Sequence, residues 1–424
     1  MLKKALLYLL FSILALVVTA AVAVFVIVKV ALAPGPDEWP ARVKVGPATI
    51  DIGVPTAIRL ATSAWAGQWL AGQSVDTPYG RLQLGWNAAT DTLEADCEPC
   101  SAVIPALGSE PIRIGRLHGT ARRDAGTLVG VLEASPAPRE GAAPADAGLL
   151  RANWTGRLTQ KALHVDIQAP DAPIVDWYAL LAPDLPELQR AHISGTLGFG
   201  AQLALPAGSL ALQPRISQFA VEGLGTESII DARSACGAPS RLSEQSWLAR
   251  AVIAAEDQRF FSHPGYDLAE LTASFETNQK AAKVERGGST LTQQLTKILV
   301  TGGQRNAERK LRELLYAVEM EQTLGKARIL QLYLDNAPWG ARICGAETAA
   351  RTYFKRPARN LEPAQAIWLA AMLNNPAAAV RQWQQSGNID LDRAKWVADG
   401  VRGITKPQRD ALLRSVDLAR FAPP

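Results

Sequence analysis

The chain has 424 residues, 48% of them hydrophobic and 20% charged, with 33 Gly and 27 Pro. That length suits two or three domains at roughly 100–200 residues each, and the Gly and Pro content excludes collagen-like and low-complexity chains. A net charge of +4 is too dilute to coat a nucleic acid backbone, and four Cys are too few for a disulfide-built scaffold.

Ala5–Val28 is an uncharged run of 24 residues, against the roughly 20 that cross a bilayer core as a helix. Lys3 and Lys4 precede it and favour a cytoplasmic N-terminus. Ala31-Leu32-Ala33 has the form of a leader cleavage site, but the apolar run exceeds the ~7–15 residues of a leader core and Pro34 follows. The expectation is a cytoplasmic tip and transmembrane anchor over 1–33, with the rest of the chain outside the cell membrane. Residues 34–42, Pro-rich, form a linker.

From 43 to 222 period-two alternation dominates, as in Pro111–Leu117, Leu163–Ile167, Ala191–Leu197 and Ile216–Val221. A helix is expected near Pro55–Leu70 and a Pro/Ala/Gly-rich loop over Ser135–Ala147. This β-rich, mostly antiparallel domain carries no His, Asp, Glu or Cys cluster of catalytic or metal spacing, so it reads as a spacer or binding module. In an oxidising compartment Cys97-Glu98-Pro99-Cys100 is expected to close a local disulfide; a zinc half-site is the rival, and no second Cys-x-x-Cys supports it. Cys236 and Cys344 are expected to pair, with two buried thiols as the alternative.

After a connector over 223–242, helical patterns fill 243–424: Ser243–Phe260, Ser289–Val300, Asn306–Thr323, Lys326–Asp335, Gly345–Tyr353, Pro363–Leu373 and Asp390–Gly400. Glu256 and Asp257 end the first of these and run into Phe260, Phe261 and His263. A helix C-terminus, a neighbouring acid and apolar walls all disfavour an ionised carboxylate, which is how a general base is tuned. Arg286-Gly287-Gly288-Ser289-Thr290 opens a helix on which Thr290, Gln294 and Lys297 share a face. The spacing is not that of a phosphate loop. Arg305, Arg309, Arg312 and Glu313 share a face of the next helix, beside Lys310; Arg in such a cluster suits a diphosphate.

Taken in order, these motifs, with Lys326-x-x-Ile329, Tyr333, Gly345–Phe354 and a weakened last motif at Arg393 and Val397, closely resemble the peptidoglycan glycosyltransferases of glycosyltransferase family 51. The likeness covers roughly Ser243–Leu413. It implies a predominantly α, lysozyme-like domain that polymerises lipid II into glycan strands with release of undecaprenyl diphosphate; with the anchor and the β-rich region before it, the fold class expected is α+β multidomain. By the same resemblance Glu256 is the base, Lys297, Arg305, Arg309 and Arg312 surround the donor diphosphate, and Glu313 positions the diphosphate or a divalent cation. Asp257, Phe260, His263, Ser289, Thr292, Gln293, Gln294, Lys310 and Tyr333 complete the expected substrate site.

No cofactor is required on this reading, Mg2+ at Glu313 being the one metal candidate. The expected partners are lipid II, lipid-linked nascent glycan, the membrane, and transpeptidases or other envelope proteins, with no nucleic acid. The location expected is the bacterial inner membrane, with the bulk of the chain in the periplasm. Ending at Pro424, the sequence leaves no room for a transpeptidase domain, so a monofunctional enzyme is expected. Ile298, Asp335 and Ala394 depart from the family pattern, where Asn, Asn and Arg are usual. They are the support for an alternative, a catalytically weakened lipid II-binding scaffold.

Overall fold

A computed structural model describes residues 26, 29–45, 48–102, 111–136, 148–281, 287–302, 307–340 and 342–423. The expected membrane helix over Ala5–Val28 lies, except for Val26, outside the described residues, as does Arg305. Among the described residues no helix is long and apolar enough to cross a membrane. The chain forms two compact units: Met1–Ser101 with Arg113–Asp171 and Gly198–Arg215, and Ala102–Ile112 with Ala172–Leu197 and Ile216–Pro424.

In the first unit, β1 (Pro40–Val45) and β2 (Ala48–Gly53) form an antiparallel hairpin. The single helix expected over Pro55–Leu70 is two, Val54–Ala61 and Ala64–Leu70. The reason is local: the hydroxyls of Thr62 and Ser63 donate to the carbonyls of Ile58 and Leu60, offering the backbone an exit from the helix. The second helix rests on the sheet through Gly67, where a β-carbon would come within 2.0 Å of the Trp86 ring.

The strands that follow are β3 (Ser74–Thr77), β4 (Gly80–Asn87), β5 (Thr92–Cys97), β6 (Cys100–Ala102), β7 (Ile112–Ile114), β8 (Arg116–Asp124), β9 (Thr127–Ser135), β10 (Leu150–Leu158), β11 (Leu163–Pro173), β12 (His192–Leu205) and β13 (Ser209–Glu222). Nine of them make one sheet in the order β13-β12-β11-β10-β9-β8-β5-β4-β3. Strand alternation gives the sheet two unlike faces. Asp96 accepts from Arg116 and contacts His118, and Glu133 pairs with Arg151, on the polar side. On the other, Leu93, Gly119, Leu132, Trp154, Val165 and Ile167 line an apolar trough of about 310 Å³. Cys97, the last residue of β5, is disulfide-bonded to Cys100, the first of β6.

In the second unit the helices Trp247–Glu256, Leu291–Thr296, Ala307–Thr323, Gly325–Asn336, Ala346–Phe354, Pro363–Met372 and Leu391–Gly400 match the expected patterns within a few residues. Leu268–Ala281, Pro376–Ser386 and Lys406–Leu418 are further helices the pattern did not resolve. Phe260, Leu295, Tyr333, Trp339, Trp368 and Trp383 are fully or almost fully buried in its main core. Cys236 and Cys344 are disulfide-bonded, closing the connector onto the loop before Ala346–Phe354.

The boundary expected after residue 222 is not where the compact units divide. Helix Ile174–Leu181 and the short 3-10 turn Pro186–Gln189 belong to the helical unit: Ile174 and Tyr178 are buried in it, Leu188 packs partly buried against the same core, and Glu187 is buried against Arg312. Ile174, Tyr178, Leu185, Phe219 and Val221 share a second core with Leu311 and Leu315 of the Ala307–Thr323 helix. The Tyr178 hydroxyl donates to the Leu311 carbonyl at 3.1 Å. Two buried polar ties reinforce the seam: Glu319 accepts from the backbone N–H of Leu224 (2.7 Å) and Thr226 (3.2 Å), and Glu187 accepts from Arg312.

Candidate active site

Helix Trp247–Glu256 begins at Ser246, whose hydroxyl caps the Ala249 N–H, and ends at Glu256. Seven of its residues are buried in the core, so its last carboxylate is delivered at a fixed place with the helix C-terminus behind it. Glu256 is held on two sides: Gln294 Nε2 donates to its Oε2 at 2.9 Å, and Arg393 Nη2 to its Oε1 at 3.3 Å. Gln294 in turn accepts from the Tyr333 hydroxyl at 3.0 Å, and Tyr333 is buried. Burial pushes the Glu256 carboxyl above the usual range; the Gln294 hydrogen bond and the Arg393 charge oppose it, and the neighbouring Asp257 charge adds to it.

Asp257, expected to touch substrate, is a buried structural clip. Its carboxylate accepts from His263 Nε2 at 2.9 Å and from the Leu291 N–H at 2.9 Å, the opening of the next helix. His263 Nδ1 accepts from the Gly265 N–H at 3.2 Å, which assigns the proton to Nε2. Phe260 is wholly buried, with the Lys326 ammonium 4.5 Å from its ring centroid, while Lys326 donates to the His263 carbonyl and to Glu321. These residues fix the approach of Glu256 to the helix that follows and do not face a cleft.

That helix, Leu291–Thr296, starts with a reciprocal cap: Thr290 accepts from the Gln293 N–H and Gln293 Oε1 from the Thr290 N–H. Gln293 is therefore a capping residue, and Thr292, with no exposed surface, turns inward to donate to Glu321 at 2.5 Å. Neither lines a cleft, contrary to expectation. At Lys297 the helix widens into a π-helical turn, Lys297–Thr301, which places Lys297 and Ile298 at the surface.

The structure brings together part of the cationic cluster. Lys310 Nζ donates to Ser289 Oγ at 2.5 Å and lies 3.4 Å from Glu313 Oε2, and Arg309 donates to Glu313 Oε1. Glu313 is buried beneath both cations. Burial, then the Arg309 and Lys297 charges, push the Lys310 ammonium down to about 8. Arg312 does not join them. Its Nε and Nη2 donate to Glu187 Oε1 at 2.9 and 2.7 Å, on the flank where Tyr316 also meets Glu187. The helical wheel puts Arg312 next to Arg309, but a buried carboxylate 125 residues earlier in the chain takes its fork.

Segment 289–294 thus gathers the site: Ser289 meets Lys310, the Leu291 N–H meets Asp257, and Gln294 meets Glu256. Arg393, placed only in a weakened motif at the sequence level, is the cation beside the base; it also donates to the Ala255 carbonyl at 3.0 Å. Its signal was the position in that motif. The metal expectation at Glu313 does not fit: both its oxygens already meet Arg309 and Lys310, and among the described residues no group of three His, Cys, Asp or Glu could hold a metal ion.

Two of the three departures have structural accounts. Asp335 Oδ1 accepts from both the Ser240 N–H and hydroxyl at 2.8 Å, a pair of donors that suits a carboxylate and ties down the connector. Ala394 has no exposed surface in the main core, where an Arg would need burial. Nothing in the structure explains Ile298.

Residues 238–402 match the family described as Transglycosylase. A biosynthetic peptidoglycan transglycosylase of Nitrosomonas eutropha is 44% identical over 129 residues, which is 30% of this chain and 53% of that protein. One of Thiobacillus denitrificans is 46% identical over 129 residues, 30% of this chain and 56% of that protein. One of Alcanivorax borkumensis is 46% identical over 153 residues, 36% of this chain and 61% of that protein. The chain therefore spans between 53% and 61% of the length of these three relatives.

Proposed function

Taking residues 238–402 as a domain of the transglycosylase family, we propose that the protein is an inverting glycosyltransferase that polymerises lipid II into peptidoglycan glycan strands. Glu256 removes the proton from the acceptor sugar hydroxyl as that oxygen attacks the donor's anomeric carbon. The bond from that carbon to the diphosphate breaks, and its electron pair leaves with undecaprenyl diphosphate. A diphosphate needs no proton to leave, so the second requirement is cationic stabilisation and not a second acid. Arg309, Lys310 and Lys297 supply it, and Glu313 orients Arg309 and Lys310 from below.

The observation that carries the reading is the link made by one short segment. Gln294 holds Glu256, whose carboxyl is raised towards the working range of a base, and Ser289 five residues earlier holds Lys310. Tyr333, by donating to Gln294 Oε1, directs the amide Nε2 at the base. The uncharged run Ala5–Val28 supports a single-pass anchor in the bacterial inner membrane with the bulk of the chain in the periplasm. The Cys97–Cys100 and Cys236–Cys344 disulfides fit that oxidising side.

The test is polymerisation of purified lipid II by the parent and by Glu256→Gln. A missing general base should lower the rate roughly 10²–10⁴-fold. Polymer formed at the parental rate by a folded Glu256→Gln protein would sink the assignment.

A further inference from the structure

Helix Ala64–Leu70 carries two Trp on one face, four residues apart, and both are exposed: Trp65 to 79% and Trp69 to 67%. The orientation is imposed from behind. Ala66 and Gly67 are buried, and Gly67 lies so close to the Trp86 ring that no larger residue fits, so the opposite edge of the helix points away from the sheet. Indoles left in water at this density mark a surface that meets something apolar. The rim of the face is cationic. Arg123 donates to the Arg59 carbonyl and to Thr62 Oγ1 between the two helices, and Arg59 itself is 41% exposed.

The same helices are tied to the point where the uncharged run ends. Pro34, six residues after Val28, packs where a β-carbon on Gly53 would lie, within 3.2 Å of its α-carbon. Six residues reach at most roughly 22 Å fully extended. Glu38, four residues further on, accepts from the Gly35 N–H (3.1 Å), Thr56 Oγ1 (2.7 Å) and Arg59 Nη1 (3.3 Å), clamping the exit peptide to helix Val54–Ala61. A chain anchored through Ala5–Val28 therefore keeps Pro34, and the helix pair tied to it, within roughly 22 Å of the bilayer at that point, close enough to meet its surface. We infer that Trp65 and Trp69 insert into the headgroup–acyl boundary of the phospholipid bilayer, with Arg59 and Arg123 over anionic headgroups, as a second contact that holds the first unit on the membrane. Amphipathic aromatic rings favour that boundary, and basic residues at its rim add attraction to an anionic leaflet. The inference rests on the anchor reading and goes beyond the glycosyltransferase reading, since no residue of the candidate active site takes part.

The experiment uses the full chain reconstituted in phosphatidylethanolamine–phosphatidylglycerol vesicles. The native cysteines are disulfide-bonded, so a new one accepts an environment-sensitive fluorophore selectively. Trp65→Cys and Trp69→Cys are compared with Thr155→Cys, exposed on the polar face of β10. The expected result is blue-shifted emission at 65 and 69, quenched severalfold more by spin-labelled lipid than at 155. Vesicle flotation separates the two ideas. Flotation with probes at 65 and 69 in water overturns the inference and leaves the anchor standing. Failure to float removes the anchor and the inference together. Equal quenching at all three positions, or a blue shift without lipid that grows with protein concentration, also overturns it, the latter in favour of a second copy of the chain.

Discussion

Glu187 lies 51 residues before the start of the family match, yet it is built into the helical unit, and replacing it tests that assignment. Its side chain is 1% exposed, and its Oε1 accepts two hydrogen bonds from Arg312 and one from Tyr316, whose hydroxyl accepts from Arg190 at 2.7 Å. Removing one partner of a buried ion pair costs roughly 3–5 kcal/mol because the other charge is stranded. Arg312 keeps 30% of its side-chain surface and can partly rehydrate, so Glu187→Ala should cost about 2–3 kcal/mol. For a unit of this size that is a fall in Tm of roughly 4–12 °C. Hydrogen exchange should speed up along Ala307–Thr323, the helix that carries Arg312. A double-mutant cycle with Arg312→Ala should return a coupling of roughly 1–3 kcal/mol. Well below the melting temperature Arg312→Ala should leave polymerisation nearly intact, since its fork is committed to Glu187. An unchanged melting temperature in Glu187→Ala, or a large loss of rate with unchanged stability in Arg312→Ala, would refute the reasoning.

Four further outcomes follow from the same geometry. Because the Glu256 pKa is raised, kcat/KM should fall as pH drops through it; Arg393→Ala and Gln294→Ala each remove a group that lowers it, so both should move that acid limb to higher pH. A raised carboxyl pKa gives stability that is present at low pH and lost as pH rises through it, so Glu256→Gln should melt higher than the parent at neutral pH while losing activity. Lys310, pushed down to about 8, should give kcat/KM a basic limb near that value, and Lys297→Ala, by removing a repelling charge, should shift it upward in a pH–rate profile. The Cys236–Cys344 bond closes a separation of 108 residues, so Cys236→Ser with Cys344→Ser should cost about 2–4 kcal/mol in denaturant unfolding.

Much of the site was legible because its chemistry is local. A carboxylate at a helix end, a helix opened at Ser289-Thr290 and cations three and four residues apart each declare themselves within one or two turns. What stayed hidden depends on partners far along the chain. Thr292 looks like a cleft residue until Glu321, 29 residues on, is placed beside it; Gln293 is the exception, its partner the Thr290 N–H being only three residues away. Asp257 reads as a second acid until the Leu291 N–H arrives 34 residues later. Arg312 sits on the right face of its helix, and only Glu187 decides where its guanidinium goes. The domain boundary failed for the same reason: period-two alternation continues to Glu222, but helix Ile174–Leu181 is assigned by what it packs against. A deletion of 43–222 would therefore strip Ile174, Tyr178 and Leu185 from the second core and could not serve as a clean test of the β-rich region alone.

The seam between Ile174–Leu181 and Ala307–Thr323 also sets a schedule for biosynthesis. Tyr178 leaves the ribosome 133 residues before Leu311, its hydrogen-bond partner. At about 5–20 residues per second, the apolar side of the early helix waits roughly 7–27 s for the surface that will cover it. During that interval Ile174, Leu185 and Val221 are adhesive. The sequence order of this fold therefore makes the nascent chain dependent on a temporary cover, and destabilising changes in the late helix should appear first as lost yield and only afterwards as lost catalysis.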